Sequence, residues 1–361
     1  MNDFLKTYIY QLIKDFHPYN ETKRMTYEDG LMLIAAEKYY NLTNDEFVFN
    51  FLEKYLDYHI NEDGEIVNYH LDEYNIDNIL AGNVLFFVYE KTGKKKYLKT
   101  IELLRKQLLT HPRTESMNFW HKKRYPYQVW LDGLYMGQIF YLRYALLKKD
   151  FSIIDDVYRQ VMNTDKYLWD QKRKLYVHAY DEKKVMQWAD EETGHSPNIW
   201  SRSVGWFAMA LVDLIELLPN DFTSEKTAFS ELIVKLIDGV KPHLDPEYSM
   251  MYQVVDKPNV KGNYLETSGT AMLAYAALKG YRLGVLDSSY QLLGEKIVKG
   301  INEKYLRDEN GKIILGGICA VAGLDNERRD GSVAYYLSEK IAENEIKGVG
   351  PYLFALMELA E

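Results

Sequence analysis

The sequence predicts an all-α protein, an (α/α)6 barrel of six inner and six outer helices with short β-hairpins at its rim. Three observations carry this expectation. Apolar residues recur at helical spacing in about twelve successive segments. Alternate segments differ in kind: even-numbered ones start in stretches rich in Gly, Ala, Ser and Met, while odd-numbered ones carry one apolar stripe on a charged helix. No Pro/Gly/Ser-rich linker divides the chain, so residues 1–361 read as one domain.

The first helix, 2–16, places Phe4, Leu5, Tyr8, Ile9, Leu12, Ile13 and Phe16 on one face, with Asp3, Lys6 and Lys14 between them. It lacks the unbroken apolar run and small-residue cleavage site of a signal peptide, so a cytoplasmic protein is expected. The second helix, 26–40, opens on YEDG, and the third, 44–60, takes Asn44 as N-cap before Asp45 and Glu46. The fourth, 75–93, opens on NIDN and stops at Thr92-Gly93. Segments 95–110 and 150–168 are outer helices around an inner one at 130–147 that begins WLDGLYMG. The eighth, 199–218, begins IWSRSVGW; its apolar run from Phe207 contains Asp213 and Glu216 and is too short to span a bilayer. Helices at 225–241, 264–283, 287–304 and 350–361 complete the set, the last with Pro351 in its first turn. Strand-like pieces at 174–181, 251–256 and 312–317 lie in the longer connections and are expected as rim hairpins.

If the inner helices run the same way, their N-termini meet at one end of the barrel. Tyr27, Asp77, Trp130, Asp132, Trp200, Arg202, Trp206 and Thr267 would then line one funnel. The net charge of −9 argues against a nucleic-acid partner, which needs a basic face. Aromatic residues at 14% supply stacking surfaces for a small-molecule ligand. The single cysteine, Cys319, forms no internal disulfide and reads as packing. The eight histidines form no HExxH and pair with no cysteine at ligand spacing, and no Gly-rich phosphate loop follows a strand. No metal and no cofactor are expected. The sequence leaves monomer and homo-oligomer equally open.

Asp132 is the leading candidate for chemistry. Between Leu131 and Gly133, beside Trp130 and Tyr135, it would occupy an apolar pocket, where desolvation favours the protonated carboxyl of a general acid. The helix dipole opposes this, and the plainer reading is an N-cap. Asp77 is the natural second carboxylate, with Asn75 the alternative cap. Arg202 and Trp206 share a helix face and could clamp a carboxylate against an indole; the alternative is a structural ion pair among core tryptophans. His121 and His178 lie in loops before inner helices, where polar residues often serve function, although a hydrogen-bonded surface histidine is the better reading of either one alone. The charge runs at 91–99 and 325–330 read as solvated faces.

The blocks YEDGL, NIDNIL, FWHKKRYPYQVWLDGLYMG, SPNIWSRSVGWFAMAL and YLETSGTAMLAYAALKGYRLG, in that order, resemble glycoside hydrolase family 105, the unsaturated rhamnogalacturonyl hydrolases. The resemblance runs from about residue 24 to the C-terminus, and its fold is the (α/α)6 barrel. It implies removal of a 4,5-unsaturated galacturonyl residue from the non-reducing end of lyase products. Asp132 would protonate C4 of the vinyl ether and then serve as base for water adding at C5; the hemiketal opens and expels the partner sugar. Asp77 would assist, His121, His178, Lys122 and Arg202 would contact the uronate and its hydroxyls, and Tyr27, Trp200 and Trp206 would form stacking walls. The loop AGLDNERRDGS is more charged than the Gly-rich family version, which leaves the aglycone as rhamnose or another sugar. Competing readings are an unsaturated glucuronyl hydrolase of family 88 or of ulvan type, a sugar epimerase, and a non-catalytic carbohydrate-binding toroid.

Overall fold

The computed structural model describes residues 2–16 and 24–360, so Met1 and the last residue of the expected final helix lie outside the described residues. The helices are α1 (Asn2–Asp15), α2 (Tyr27–Thr43), α3 (Glu46–His59), α4 (Asn83–Thr92), α5 (Lys95–Thr110), α6 (Leu131–Lys148) and α7 (Ser152–Leu168). They continue with α8 (Ser201–Leu217), α9 (Thr223–Val240), α10 (Thr267–Arg282), α11 (Ser288–Tyr305), α12 (Val333–Ser338) and α13 (Ile346–Glu358). An inner ring closes on itself: α2, the α4 unit, α6, α8, α10 and α13 pack in turn, and α13 returns to α2. Outside it, α1, α3, α5, α7, α9 and α11 pack against the inner helices, α5 bridging α4 and α6 and α11 bridging α10 and α13. The (α/α)6 barrel is therefore the fold of this chain.

The two layers differ as their sequences require. Helix α8 is buried on every side from Ser201 to Ile215, and α10 from Thr267 to Gly280. Helix α7 buries one stripe, Ile153, Ile154, Val157, Val161 and Leu168, and shows its charged side to solvent. Small residues let the inner helices touch backbone to backbone. A Cβ on Gly269 of α10 would sit 2.4 Å from the Ser201 carbonyl carbon and 2.7 Å from the Arg202 nitrogen. That contact fixes the N-terminus of α8 against that of α10.

Several boundaries depart from the sequence reading, each for a local reason. Residues Ile76–Gly82 form a 3-10 segment ahead of α4 rather than continuous α-helix. Asn75, Asp77 and Asn78 crowd this turn with side chains that compete for backbone groups. The N-cap of α3 is Asp45, whose carboxylate accepts the Phe47 N–H at 3.0 Å; Asn44 instead adopts φ 52° as the C-cap of α2. The last inner helix starts at Ile346, so Pro351 lies inside it and not in its first turn. The short α12 was not anticipated.

The strands are short antiparallel pairs: β1 (Gln128–Trp130) with β4 (Ala179–Asp181), β2 (Trp169–Asp170) with β3 (Leu175–Tyr176), β5 (Leu306–Glu309) with β6 (Lys312–Leu315), and β7 (Ile318–Cys319) with β8 (Ile341–Ala342). β5–β6 is the local hairpin expected near 312–317, and β2–β3 is a second, closed by residues 171–174. Segment 174–181 splits between two partners, and 251–256 makes only single bridges, Tyr252 to Leu265 and Val254 to Trp200.

The inner helices do run in parallel. At their C-terminal end, Asp213 of α8 accepts bonds from Lys279 at 2.7 Å and Tyr275 at 2.6 Å through Oδ1, and from Tyr135 at 3.2 Å through Oδ2. Burial opposes this carboxylate's charge, yet Lys279 and Lys38 hold it below its ordinary range. Among the described residues, no helix is long and apolar enough to cross a membrane.

Candidate active site

The N-terminal ends of α2, the 3-10 segment, α6 and α8 surround a cavity of about 290 Å³. Its lining includes Tyr27, Asp77, His121, Lys122, Trp130, Asp132, Trp200, Arg202 and Trp206. Seven of the eight residues expected in one funnel line this cavity; Thr267 does not.

Asp132 sits in the first turn of α6, two residues past the N-cap position, which Trp130 occupies without a side-chain cap bond. The capping alternative for Asp132 is thus displaced. Its side chain is 13% exposed and makes no hydrogen bond among the described residues; His178 Nε2 lies 3.4 Å from its Oδ2, which is buried and unbonded. His178 does not line the cavity. It lies fully buried behind Asp132, with Nδ1 2.7 Å from the Tyr336 hydroxyl. When Tyr336 donates to Nδ1, the Nε2 proton faces the carboxyl.

Asp77 is held differently. Asn75 caps the turn by accepting the Asp77 N–H at 3.1 Å, which frees the carboxylate. Its Oδ2 pairs with Lys122 Nζ at 2.5 Å, and its Oδ1 lies 3.7 Å from His121 Nε2. Burial, reinforced by the Lys122 charge, pushes the His121 imidazole well below its ordinary range. His121 is therefore neutral near pH 7, and the full positive charge facing Asp77 comes from Lys122.

The aromatic residues divide into two walls. His121, Trp130 and Tyr125 stack in a column, with the indole 4.4 Å from the imidazole and 5.1 Å from the phenol ring. Opposite them, Trp206 stacks on Tyr135 at 5.2 Å and meets Tyr27 edge-on at 6.4 Å. Arg202 lies over Trp200, 4.7 Å from its ring, and not over Trp206 as the helical spacing suggested. Its Nη1 donates to Ser268 Oγ at 3.3 Å and to the Cys319 carbonyl. Residue 202 points along α8 toward β7, which brings the guanidinium across the indole two residues back.

Thr267 does not reach the cavity. It is fully buried, its hydroxyl donating to the Gly316 carbonyl at 2.7 Å, so its polar group serves the α10 start. Its neighbour Glu266 was missed: this fully buried carboxylate caps α10 and accepts from Ser201, Ser268, Gly269 and Cys319. The cue was present as an acidic residue directly before an inner-helix start. Arg124 and Arg329 also line the cavity. Arg329 belongs to the 325–330 run, so that run is not simply a solvated face. Cys319 is buried, and burial pushes its thiol up, consistent with packing.

Comparison with known proteins agrees with this architecture. The sequence matches Glycosyl Hydrolase Family 88 over residues 3–361. A solved glycoside hydrolase from family 105 of C. acetobutylicum ATCC 824 is 42% identical, with TM-score 0.95 over 99% of each chain. The chain belongs to the family 88/105 glycoside hydrolases. A 24.9 kDa protein in the picA locus of Rhizobium radiobacter is 38% identical over 231 residues, 62% of this chain and 97% of its own. The unsaturated rhamnogalacturonyl hydrolase YesR of Bacillus subtilis is 27% identical over 261 residues, 70% of each chain. This family 88/105 hydrolase therefore acts on a carbohydrate.

Proposed function

We propose that this hydrolase removes a 4,5-unsaturated galacturonyl residue from the non-reducing end of lyase-generated rhamnogalacturonan disaccharides. The observation that carries the reading is the contrast between its two cavity carboxylates. Asp77 is engaged by Lys122 and sits by His121. Asp132 lines the same cavity with no hydrogen bond, beside one histidine. A carboxyl left free in this way can transfer a proton to carbon and take one from water.

The chemistry proceeds on the vinyl ether. Asp132 gives its proton to C4, and positive charge develops at C5 and the ring oxygen. Water adds at C5 and returns a proton to Asp132, which restores the acid. The C5 hemiketal then opens to a ketone, C1 becomes a hemiacetal carrying the aglycone oxygen, and that hemiacetal collapses to release the aglycone alcohol. One residue acts as acid and then base, so no covalent intermediate is needed. Arg202 over Trp200 supplies the cation and the face that an acidic ring requires, and Tyr27 and Trp206 complete the walls. The name of YesR supports rhamnogalacturonan over other sources of unsaturated uronides.

The test follows ultraviolet bleaching of the ring double bond on unsaturated disaccharides from pectin, ulvan and glycosaminoglycan lyases. The galacturonyl-rhamnose product should bleach fastest, and Asp132→Asn should bind it with wild-type affinity while turnover falls at least a thousandfold. Retained turnover in Asp132→Asn removes the assigned acid, and faster bleaching of a glucuronyl substrate replaces the galacturonyl specificity.

A further inference from the structure

The cavity is lined by four cationic side chains, Lys122, Arg124, Arg202 and Arg329, and three carboxyl groups, Glu28, Asp77 and Asp132. Lys122 pairs with Asp77 at 2.5 Å, and Glu28 shares Lys347, at 3.2 Å, with Glu345 at 2.8 Å. Asp132 is the carboxyl assigned to proton transfer. The three guanidinium groups, Arg202, Arg124 and Arg329, lie at separate places around the lining, whereas an unsaturated uronyl ring brings one carboxylate. Arg202 is fully buried and lies deep, over Trp200. The other two are placed at the mouth.

Both outer arginines flank the same aromatic column. Arg124 lies over Tyr125 at 4.8 Å and makes no hydrogen bond or ion pair among the described residues. Arg329 comes from the opposite loop. A Cβ on Gly323 would lie 2.9 Å from Arg329 Nη1 and 3.5 Å from the Trp130 ring, so this glycine supplies the berth in which the guanidinium rests beside Trp130. The Gly323 N–H donates to the Tyr335 hydroxyl at 2.9 Å, which anchors that stretch of loop. The acid facing Arg329 is Asp325, 4.0 Å from Nε. Its Oδ1 accepts the N–H groups of Glu327, Arg328 and Arg329, which builds the turn and holds Oδ2, the oxygen facing Arg329, at that long distance. Two guanidinium heads thus border the stacked Trp130–Tyr125 surface without a full partner.

Resting on the hydrolase reading above, we propose that Arg124 and Arg329 form a second anion-binding subsite at the cavity mouth. The preferred substrate then carries a further acidic group beyond the unsaturated ring. A sulfate ester on the second sugar or the carboxylate of a third sugar would present the same chemistry to these guanidinium groups.

The experiment compares kcat/KM on three unsaturated substrates: the neutral-aglycone disaccharide, its sulfated form, and the tetrasaccharide bearing a second uronate. Enzymes are the wild type, Arg124→Gln, Arg329→Gln, the double variant, and both Arg→Lys variants. The ratio of kcat/KM for an acidic substrate over the neutral one should exceed one in the wild type. It should fall about fivefold per Gln substitution, the scale of a partly exposed ion pair, and shrink at high salt. The Lys variants should retain most of it. A response confined to the sulfated disaccharide places the group on the second sugar, and one confined to the tetrasaccharide places it on the third. A ratio unchanged in the double variant overturns the subsite, even with every substrate turned over. Failure of the wild type to bleach the neutral disaccharide would instead overturn the underlying hydrolase reading.

Discussion

Replacing Glu266 by Gln tests whether one buried carboxylate organises the floor of the site. Its Oε1 accepts from the Ser268 N–H at 3.0 Å, the Ser268 hydroxyl at 2.6 Å and the Cys319 N–H at 3.0 Å. Its Oε2 accepts from the Gly269 N–H at 2.7 Å and the Ser201 hydroxyl at 3.1 Å. The least damaging placement of a glutamine keeps its oxygen at the first position and its NH2 at the second. The Ser201 hydroxyl can then turn to accept, but the Gly269 N–H cannot. The loss is one charge-assisted bond, about 1.5–3 kcal/mol, plus a buried N–H facing an N–H, about 1–3 kcal/mol, so about 2.5–6 kcal/mol in all. Urea unfolding should show the midpoint falling at constant m. Arg202 also loses a nearby negative charge that favours its own against the burial opposing it. KM should therefore rise in whatever fraction stays folded. A stability change below about 1 kcal/mol would refute this account of the α10 cap.

Two further outcomes concern stability away from the site. Lys279→Met leaves Asp213 buried with two hydroxyls and the more distant charge of Lys38, and should cost about 3 kcal/mol; adding Asp213→Asn should recover part of it, and a strictly additive double variant would contradict the pairing. Burial holds His111 down at about 4, its Nε2 lying 2.8 Å from the Trp120 carbonyl. The unfolded chain takes up a proton near pH 6.5 that the folded chain refuses. The stability this residue protects is thus complete above 6.5 and falls by about 3 kcal/mol as pH drops toward 4. Urea midpoints at pH 7 and 4.5 should converge in His111→Gln, and an undiminished gap would remove His111 as the cause.

The barrel was legible because its two layers obey different rules. An inner helix such as α8 must bury every face, so Ser201–Ile215 contains small and apolar residues throughout, while α7 needs only one stripe. Once the alternation is seen, parallel inner helices place Asp77, Asp132 and Arg202 at one end without further information. What stayed hidden depends on loops that period and propensity do not describe. The partner of Arg202 is Trp200 because β7 and its Cys319 carbonyl draw the guanidinium aside. Thr267 looks like its neighbours in sequence, but the Gly316 carbonyl that claims its hydroxyl lies 49 positions away. Arg329 sits in a run that reads as solvent-facing until Gly323 is seen to seat it beside Trp130.

The location of the candidate site follows from the same packing. Contacts as close as Gly269 against Ser201 leave no room for a sugar in the middle of the ring, so space opens where the helices end and the loops diverge. The two ends are not equivalent. At the C-terminal end, Asp213 and Lys279 pair with each other in the carbonyl-rich field of the helix termini. At the N-terminal end, unpaired N–H groups and helix dipoles favour an anion, and Arg202, Arg124 and Arg329 add to that field. The chain's charge of −9 does not counter this, because exposed charges farther than about 8 Å are largely screened at physiological ionic strength. An acidic protein can therefore receive the acidic sugar proposed for it: the local sign at this cavity is set by the first turn of a few helices and three guanidinium groups, not by the total.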